Sequence, residues 1–126
     1  MSSIISTDNA PKAIGPYSQA VCAGGLVFTS GQIALDPQTG ALVGGDITAQ
    51  TRQVCGNIKA LLEAAGCTMD SVIKTVCFLS NMSDFAAFNE VYAEFFTSCP
   101  ARSCVAVKAL PKGALVEVEA VAEKSV

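Results

Sequence analysis

The hydrophobic pattern changes its period several times along the chain, and this change constrains the fold more than any other feature. Two long segments keep apolar residues at helical spacing, whereas the segments around them are short and rich in β-branched residues. Gly24-Gly25 separates two such short segments within residues 17–35 and predicts a hairpin. The predicted order is ββ-α-β-α-ββ, which is typical of an α+β fold with helices on one face of a sheet.

Two helices are predicted from their start and stop signals. Asp46 is placed to cap a helix that runs to about Ala65 and ends at Gly66. Ser83 is placed to cap a second helix that ends before Pro100. The second helix carries aromatic residues at i, i+3 and i+7 spacing, which we interpret as core packing against the sheet. These aromatic residues are Phe85, Phe88, Tyr92, Phe95 and Phe96.

Three further strands are predicted in the second half of the chain, at residues 71–79, 101–110 and 115–122. Residues 36–40 (DPQTG) give a strong turn signal before the first helix. Residues 111–113 (PKG) lie between the last two strands and favour a hairpin there.

Alternation along the last two predicted strands gathers polar side chains on one face of the sheet. Arg102 and Cys104 share a face of the strand at 101–110, whose other face is uniformly compatible with a core. Glu117 and Glu119 share a face of the next strand, so we expect one surface to display the arginine, the cysteine and the carboxylates. This surface is either a solvated face with cross-strand ion pairs, or a site where Arg102 binds a carboxylate substrate and Glu117 handles a proton or water.

Composition restricts the assembly and the partners. The 126 residues suffice for a single domain, 1–126, with one core. Apolar residues make up 51% of the chain and charged residues 15%, which favours surface that is covered by other subunits. The net charge of −3 and the absence of a basic run disfavour a nucleic-acid partner. The N-terminus lacks the features of a signal peptide and the apolar runs are too short to span a bilayer, so we expect a cytoplasmic protein without membrane contact.

The cysteine and histidine counts restrict the chemistry. The chain has no histidine, which removes the usual zinc sites and the Ser-His and Cys-His catalytic groups, and we expect no metal site. Its six cysteines are expected to be reduced, mostly as small buried residues. A nucleophilic role for Cys104 is poorly supported, because only Arg102 could activate its thiol, and a structural or backbone role fits better.

Two short segments have both a structural and a functional interpretation. Ser30 and Gly31 end a strand, where the glycine allows either a plain turn or close approach of a ligand to the backbone. Tyr17 follows Gly15-Pro16 and is placed either over a pocket or partly in the core.

Several ordered blocks that include these residues resemble the reactive-intermediate deaminase family, also called Rid or YjgF-like. The resemblance covers almost the whole chain. Its blocks are residues 13–20 (AIGPYSQA), 28–33 (FTSGQI) with 36–40 (DPQTG), 84–92 (DFAAFNEVY), 100–105 (PARSCV), 110–112 (LPK) and 117–120 (EVEA).

The resemblance implies a fold like that of chorismate mutase and a homotrimer with a site at each subunit interface. It implies hydrolysis of 2-imino acids, such as 2-iminobutanoate and 2-iminopropanoate, to 2-keto acids and ammonia without a cofactor. By position, Arg102 would bind the substrate carboxylate and Glu117 would position or activate water. The pocket would be lined by Tyr17, Ser30, Gly31, Asn89 and, mainly through its backbone, Cys104. The segment at 97–100 is shorter than in many relatives. This difference affects the rim of the site and so the size of the substrate.

Other functions remain compatible with the sequence. The family has also been described as endoribonucleases and translation inhibitors. A module that binds a keto acid through Arg102 and regulates a partner, without catalysis, is a third interpretation. Glu117 distinguishes the enzyme from the sensor, because a carboxylate sensor gains nothing from a negative group beside its anion.

Overall fold

The computed structural model describes residues 2–124, in which six strands and two α-helices form an α+β fold. The strands are β1 (Ser3–Ile5), β2 (Ala20–Ala23), β3 (Leu26–Thr29), β4 (Val72–Leu79), β5 (Ala101–Ala106) and β6 (Val116–Glu123). The helices are α1 (Ile47–Ala64) and α2 (Phe85–Phe95). All six strands belong to one sheet in the order β1-β2-β3-β6-β4-β5, and only β4 and β5 run parallel.

Helix α1 begins and ends where the sequence predicts. The side chain of Asp46 accepts a hydrogen bond from the backbone N–H of Ala49 at 3.0 Å, which satisfies one of the free donors of the first turn. Gly66, with φ of 81°, follows the last turn in the left-handed conformation that glycine adopts readily. The face of α1 that packs on the sheet carries Ile58 and Leu62, both fully buried.

Helix α2 starts differently from the prediction. Ser83 does not cap it; instead the side chain of Asn81 accepts a hydrogen bond from the backbone N–H of Ser83 at 2.9 Å, and a short 3₁₀ turn leads into the helix. Asn81 thus caps the 3₁₀ turn, and no side chain caps the first turn of α2 itself. The aromatic residues pack as predicted, with the rings of Tyr92 and Phe96 stacked at 4.4 Å between centroids.

The hairpin at Gly24-Gly25 is confirmed, because both glycines have positive φ and join the antiparallel strands β2 and β3. The predicted hairpin of the last two strands is wrong. Strand β4 lies between β5 and β6 and pairs with both of them. The chain runs from β4 through α2 to β5, and such a helical crossover returns the next strand parallel to the first. Strand β1 was not predicted, since three residues are too short to show alternation.

The faces of β6 follow the sequence pattern, whereas those of β5 are reversed. Val118 is fully buried and Glu117 points to the opposite side, as expected. In β5, however, Arg102 and Cys104 lie on the face that the helices cover, and Val105 is 47% exposed on the other face. Strand β5 is an edge strand whose register is set by β4, so an apolar side chain on it is not a guide to the core.

The sheet face opposite the helices carries exposed apolar side chains. Phe28 and Val105 are 43% and 47% exposed there, beside the half-buried Val121 and Phe78. Exposed apolar side chains on a sheet face do not stabilise a monomer, and such patches are typical of surfaces that bind another protein. Within residues 2–124, neither helix is long and apolar enough to cross a membrane.

Candidate functional site

The Glu117 side chain lines a cavity of about 310 Å³ on the side of the sheet that the helices do not cover. The cavity lies between the end of β3, the loop before β2 and the turn before β6. Three residues that the sequence analysis selected line it together: Tyr17, Gly31 and Glu117. Its remaining wall is largely apolar, with Ile14, Ile33 and Pro111 as examples.

The environment of Glu117 favours its protonated form. Burial raises the pKa of this carboxyl group, and the negative charge of Glu119 raises it further. Among residues 2–124 the one ion pair joins Arg52 to Glu94, so Glu117 forms none, although Lys12 and Lys112 line the same cavity. A partly buried carboxyl group with a raised pKa is suited to accept and return a proton.

Gly31 lies next to Glu117, whereas Ser30 is not among the residues that line the cavity. The Ser30 hydroxyl donates a hydrogen bond to the backbone carbonyl of Ser18 at 2.6 Å, so this side chain holds the preceding loop. Gly31 presents bare backbone to the Glu117 side chain. A Cβ at position 31 would lie 2.9 Å from Cδ of Glu117, a distance shorter than Cβ contacts in real proteins.

Tyr17 belongs to a loop that a buried amide holds in place. Gln19 is 5% exposed, and its Nε2 donates to the backbone carbonyl of Pro11 at 2.7 Å, while its Oε1 accepts from the N–H of Thr7 at 2.7 Å. Tyr17 itself is 54% exposed at the cavity. The alternative that Tyr17 belongs to the core is therefore wrong. The role of Gln19 has no local sequence signal, because its partners are backbone groups eight to twelve residues away.

Arg102 lies at the opposite side of the sheet, between β5 and α2. Its Nη1 donates a hydrogen bond to the side-chain oxygen of Asn89 at 2.7 Å. Its guanidinium carbon also lies over three aromatic rings of α2, at 4.8 Å from the centroid of Tyr92, 5.4 Å from Phe85 and 6.0 Å from Phe88. An open cavity of about 440 Å³ adjoins Arg102 at the C-terminal end of α2.

The surroundings of Cys104 disfavour a nucleophile. Burial raises the pKa of its thiol, and the positive charge of Arg102 opposes this only in part. The thiol is thus protonated at neutral pH. This agrees with a structural or backbone role for Cys104.

The structure separates the residues that the sequence was expected to bring together. Arg102 pairs with Thr75 of β4, and Glu117 pairs with Phe78 of the same strand. Thr75 and Phe78 are three residues apart and so point to opposite faces, since successive side chains of a strand alternate. The expectation of a single surface that carries Arg102, Cys104 and Glu117 is wrong, because the parallel pairing of β5 turns Arg102 and Cys104 toward the helices.

The sequence pattern contained one signal that we read only as core packing. Phe85, Phe88, Asn89 and Tyr92 hold i, i+3, i+4 and i+7 spacing, which places a polar residue inside an aromatic stripe of α2. The polar residue marks the point where the stripe meets Arg102. Within residues 2–124, no group of three or more His, Cys, Asp or Glu residues could hold a metal ion.

Comparison with known proteins identifies the family. A family profile described as Endoribonuclease L-PSP matches residues 7–124, and the same family is known under the names Rid, YjgF and RutC. The chain belongs to the Rid family. Its fold of two helices on a six-stranded sheet is that of solved Rid-family structures.

Three relatives show how varied the names are around this Rid chain. A RutC family protein of Pyrococcus horikoshii is 58% identical over 98% of this chain and 99% of its own. A protein of Salmonella typhimurium named 2-iminobutanoate/2-iminopropanoate deaminase is 51% identical over 97% of this chain and 98% of its own. The crystal structure of Escherichia coli TdcF with bound serine is 46% identical, with a TM-score of 0.92 over 98% of this chain and 99% of its own.

Proposed function

We propose that this protein hydrolyses 2-imino acids, such as 2-iminobutanoate and 2-iminopropanoate, to 2-keto acids and ammonia at sites formed between two copies of the chain. One observation carries the proposal: Arg102 and Glu117 have the chemistry that the reaction needs but lie on opposite faces of one sheet. A relative that is 51% identical and is named for this activity supports the substrate class. Another relative, solved with bound serine, shows that a protein of this fold holds a small amino acid.

Arg102 is suited to bind the carboxylate of the substrate. A guanidinium group donates two parallel hydrogen bonds to a carboxylate and keeps its charge at any physiological pH. One of its donors is used by Asn89, and the adjoining cavity leaves room at the remaining ones. The carboxylate would thereby fix the imine carbon relative to the neighbouring chain.

Glu117 of the neighbouring chain is suited to manage the water. The imine reacts in its protonated form: the water oxygen adds to the imine carbon, one water proton passes to Glu117, and the C=N electron pair moves to the nitrogen, which gives a neutral carbinolamine. Glu117 then gives its proton to the nitrogen. The C–N bond breaks, ammonia leaves as the carbon-oxygen bond becomes double, and the hydroxyl proton passes back to the Glu117 carboxylate and from there to solvent. Water and imine are consumed and keto acid and ammonia are released, so no oxidant, metal or cofactor enters the balance.

A closed ring of three copies would pair each Arg102 with the Glu117 of its neighbour. Two identical copies that place different surfaces against each other form a heterologous contact, which closes into a ring of three where each copy is rotated by a third of a turn. The exposed apolar side chains Phe28 and Val105 lie on the sheet face that such a ring would cover. We therefore propose a homotrimer, for which light scattering at micromolar concentration should give close to three times the chain mass.

The test is a coupled assay in which the imine is made in place. A threonine dehydratase or an amino-acid oxidase releases the imine, semicarbazide traps what remains of it, and the loss of trapped product is followed with and without this protein. The proposal expects faster loss with the protein and no effect of EDTA. Unchanged imine decay at any protein concentration would contradict it, and binding of the keto acid without turnover would favour a regulatory module.

A further inference from the structure

Helix α2 covers one side of the Arg102 guanidinium, and within residues 2–124 the hydrogen bond and the cation–π contacts of this group are all to side chains of that helix. Phe85, Phe88 and Tyr92 offer ring faces within 6.0 Å of the guanidinium carbon. Asn89, from the same helix face, accepts a hydrogen bond at 2.7 Å. We call these four residues the α2 cradle.

We propose that the α2 cradle positions Arg102 for carboxylate binding, so that Asn89, Phe85 and Phe88 act through the guanidinium and not by contact with the substrate. Tyr92 also lines the cavity beside Arg102. This inference rests on the proposed function, because it assigns the cradle a role in the same site. It also changes the role that family resemblance gives Asn89, from lining the pocket to orienting the arginine.

The rings restrict the orientation of the guanidinium without consuming its donors. An aromatic face attracts a cation through its quadrupole, and this attraction leaves all N–H groups free. Rings that cover the guanidinium on the helix side also keep it from turning toward α2. Its remaining N–H groups are then available at the open side, where the cavity of about 440 Å³ lies.

The neutrality of Asn89 is the second part of the argument. An arginine in such a setting is commonly paired with a carboxylate, which would fix its orientation equally well. A carboxylate at position 89 would, however, compete with the substrate carboxylate for the same cation. The amide oxygen of Asn89 fixes one N–H at 2.7 Å and leaves the charge of Arg102 uncompensated for the substrate.

A ring within the cradle is itself held by the strand beside Arg102. The Tyr92 hydroxyl and the Thr75 hydroxyl lie 2.7 Å apart in the core. Thr75 is the residue that pairs with Arg102 across β4 and β5. The ring that approaches the guanidinium most closely is thus tied to the strand that sets the register of the arginine.

Two substitutions test the cradle, each with a matched control on α2. Asn89→Asp supplies a competing carboxylate, and Ala86→Asp adds the same charge at an exposed position of the helix. Phe85→Leu removes a ring from a half-buried position, and Phe95→Leu removes one that does not face Arg102. The measurements are KM and kcat for 2-iminobutanoate, the Kd of 2-oxobutanoate by calorimetry, and the melting temperature.

We expect Asn89→Asp to raise KM and Kd by about tenfold or more, since a charge-assisted pair must be broken for binding, while kcat and the melting temperature hold. Phe85→Leu should raise both constants about threefold, as expected for the loss of a partly exposed cation–π contact. Both controls should behave like the wild type. In an Arg102→Lys background, Phe85→Leu should add no further loss, because residues that act through one group are not additive.

The outcomes separate this inference from the proposed function. If the wild type hydrolyses the imine, Arg102→Lys impairs it, and neither Asn89→Asp nor Phe85→Leu changes KM, the cradle is refuted and the function stands. A melting temperature that falls in step with activity would also overturn it, because the residues would then act on folding. If the wild type binds 2-oxobutanoate but does not hydrolyse 2-iminobutanoate, the proposed function is wrong, and the Kd values of the variants alone test the cradle. If it neither hydrolyses nor binds, both fail.

Discussion

Gly31 leaves the space that the Glu117 side chain occupies. A Cβ at position 31 would lie 2.9 Å from Cδ and 3.2 Å from Cγ of Glu117, and it would overlap the carboxylate oxygen. The atoms in the way belong to the end of a flexible side chain, so an added methyl group would displace the carboxylate and leave the backbone in place. The glycine thus fixes the position of a reactive group, although its own φ does not require glycine.

Gly31→Ala should therefore reduce activity more than stability. We expect kcat to fall by about 10- to 100-fold, the usual effect of misplacing a reacting group by about 1 Å, with little change in melting temperature. Gly56→Ala in α1 is the matched control, because nothing lies within 4 Å of its added carbon and alanine is favoured in a helix. An unchanged kcat in Gly31→Ala would mean that the position of Glu117 is not critical.

Glu117→Gln should uncouple chemistry from folding. If Glu117 transfers the proton, kcat should fall by roughly 10²–10⁴ while the keto acid still binds. Wild-type activity should itself decline as the pH falls through the raised pKa of Glu117, because the protonated carboxyl group cannot accept a proton from water.

The stability of Glu117→Gln relative to the wild type should depend on pH. Burial raises the pKa of Glu117 above its usual value, so the folded state binds this proton more tightly than the unfolded state. The contribution of Glu117 to stability is therefore present at acidic pH and lost as the pH rises through the raised pKa. In urea unfolding, Glu117→Gln should be as stable as the wild type or more so at pH 7, and this advantage should disappear near pH 4. A marked loss of stability at pH 7 would indicate that the carboxylate has a stabilising partner.

Arg102→Lys keeps the charge but loses the planar group that donates two parallel hydrogen bonds. Charge-assisted hydrogen bonds contribute roughly 1.5–3 kcal/mol each, so kcat/KM should fall by roughly ten- to ten-thousand-fold. Steady-state kinetics with 2-iminobutanoate measure this. Wild-type rates in Arg102→Lys, with the assembly unchanged, would remove Arg102 from the site.

The cysteines should differ widely in reactivity. Burial raises the pKa of both the Cys55 and Cys77 thiols to about 12, whereas Cys99 is exposed. In the native protein at pH 8 a thiol reagent should modify Cys99 first and leave Cys55 and Cys77 unmodified, because the thiolate is the reactive form. Under denaturant without reductant the titration should reach all six. A pair that is consistently missing would indicate a disulfide.

Local patterns predicted the elements well and their arrangement poorly. Asp46, Gly66 and the Gly24-Gly25 turn act within a few residues, so the sequence reveals both their role and their position. The neighbours of β5 depend on where β6 enters the sheet, and this is decided by strands far apart in the chain. Alternation then indicated that side chains in β5 share a face, but it could not indicate which face the helices cover.

The same distinction applies to the candidate site. Family blocks selected Tyr17, Gly31 and Glu117, and the structure places these three around one cavity. The α2 cradle was hidden because aromatic residues at helical spacing are equally expected in a core. That Arg102 and Glu117 lie on opposite faces could not be read from the sequence, because it follows from the parallel pairing of β5 with β4.

The central claim, that each site takes Arg102 from one chain and Glu117 from another, is tested most directly by mixing two impaired variants. Arg102→Lys and Glu117→Gln chains are unfolded together, refolded, and assayed with 2-iminobutanoate beside each variant refolded alone. In randomly mixed trimers, about a quarter of the sites combine an intact Arg102 with an intact Glu117, so about a quarter of wild-type activity should return. If the mixture is no more active than the separate variants although trimers with both chains have formed, the site does not lie between chains and the account is wrong.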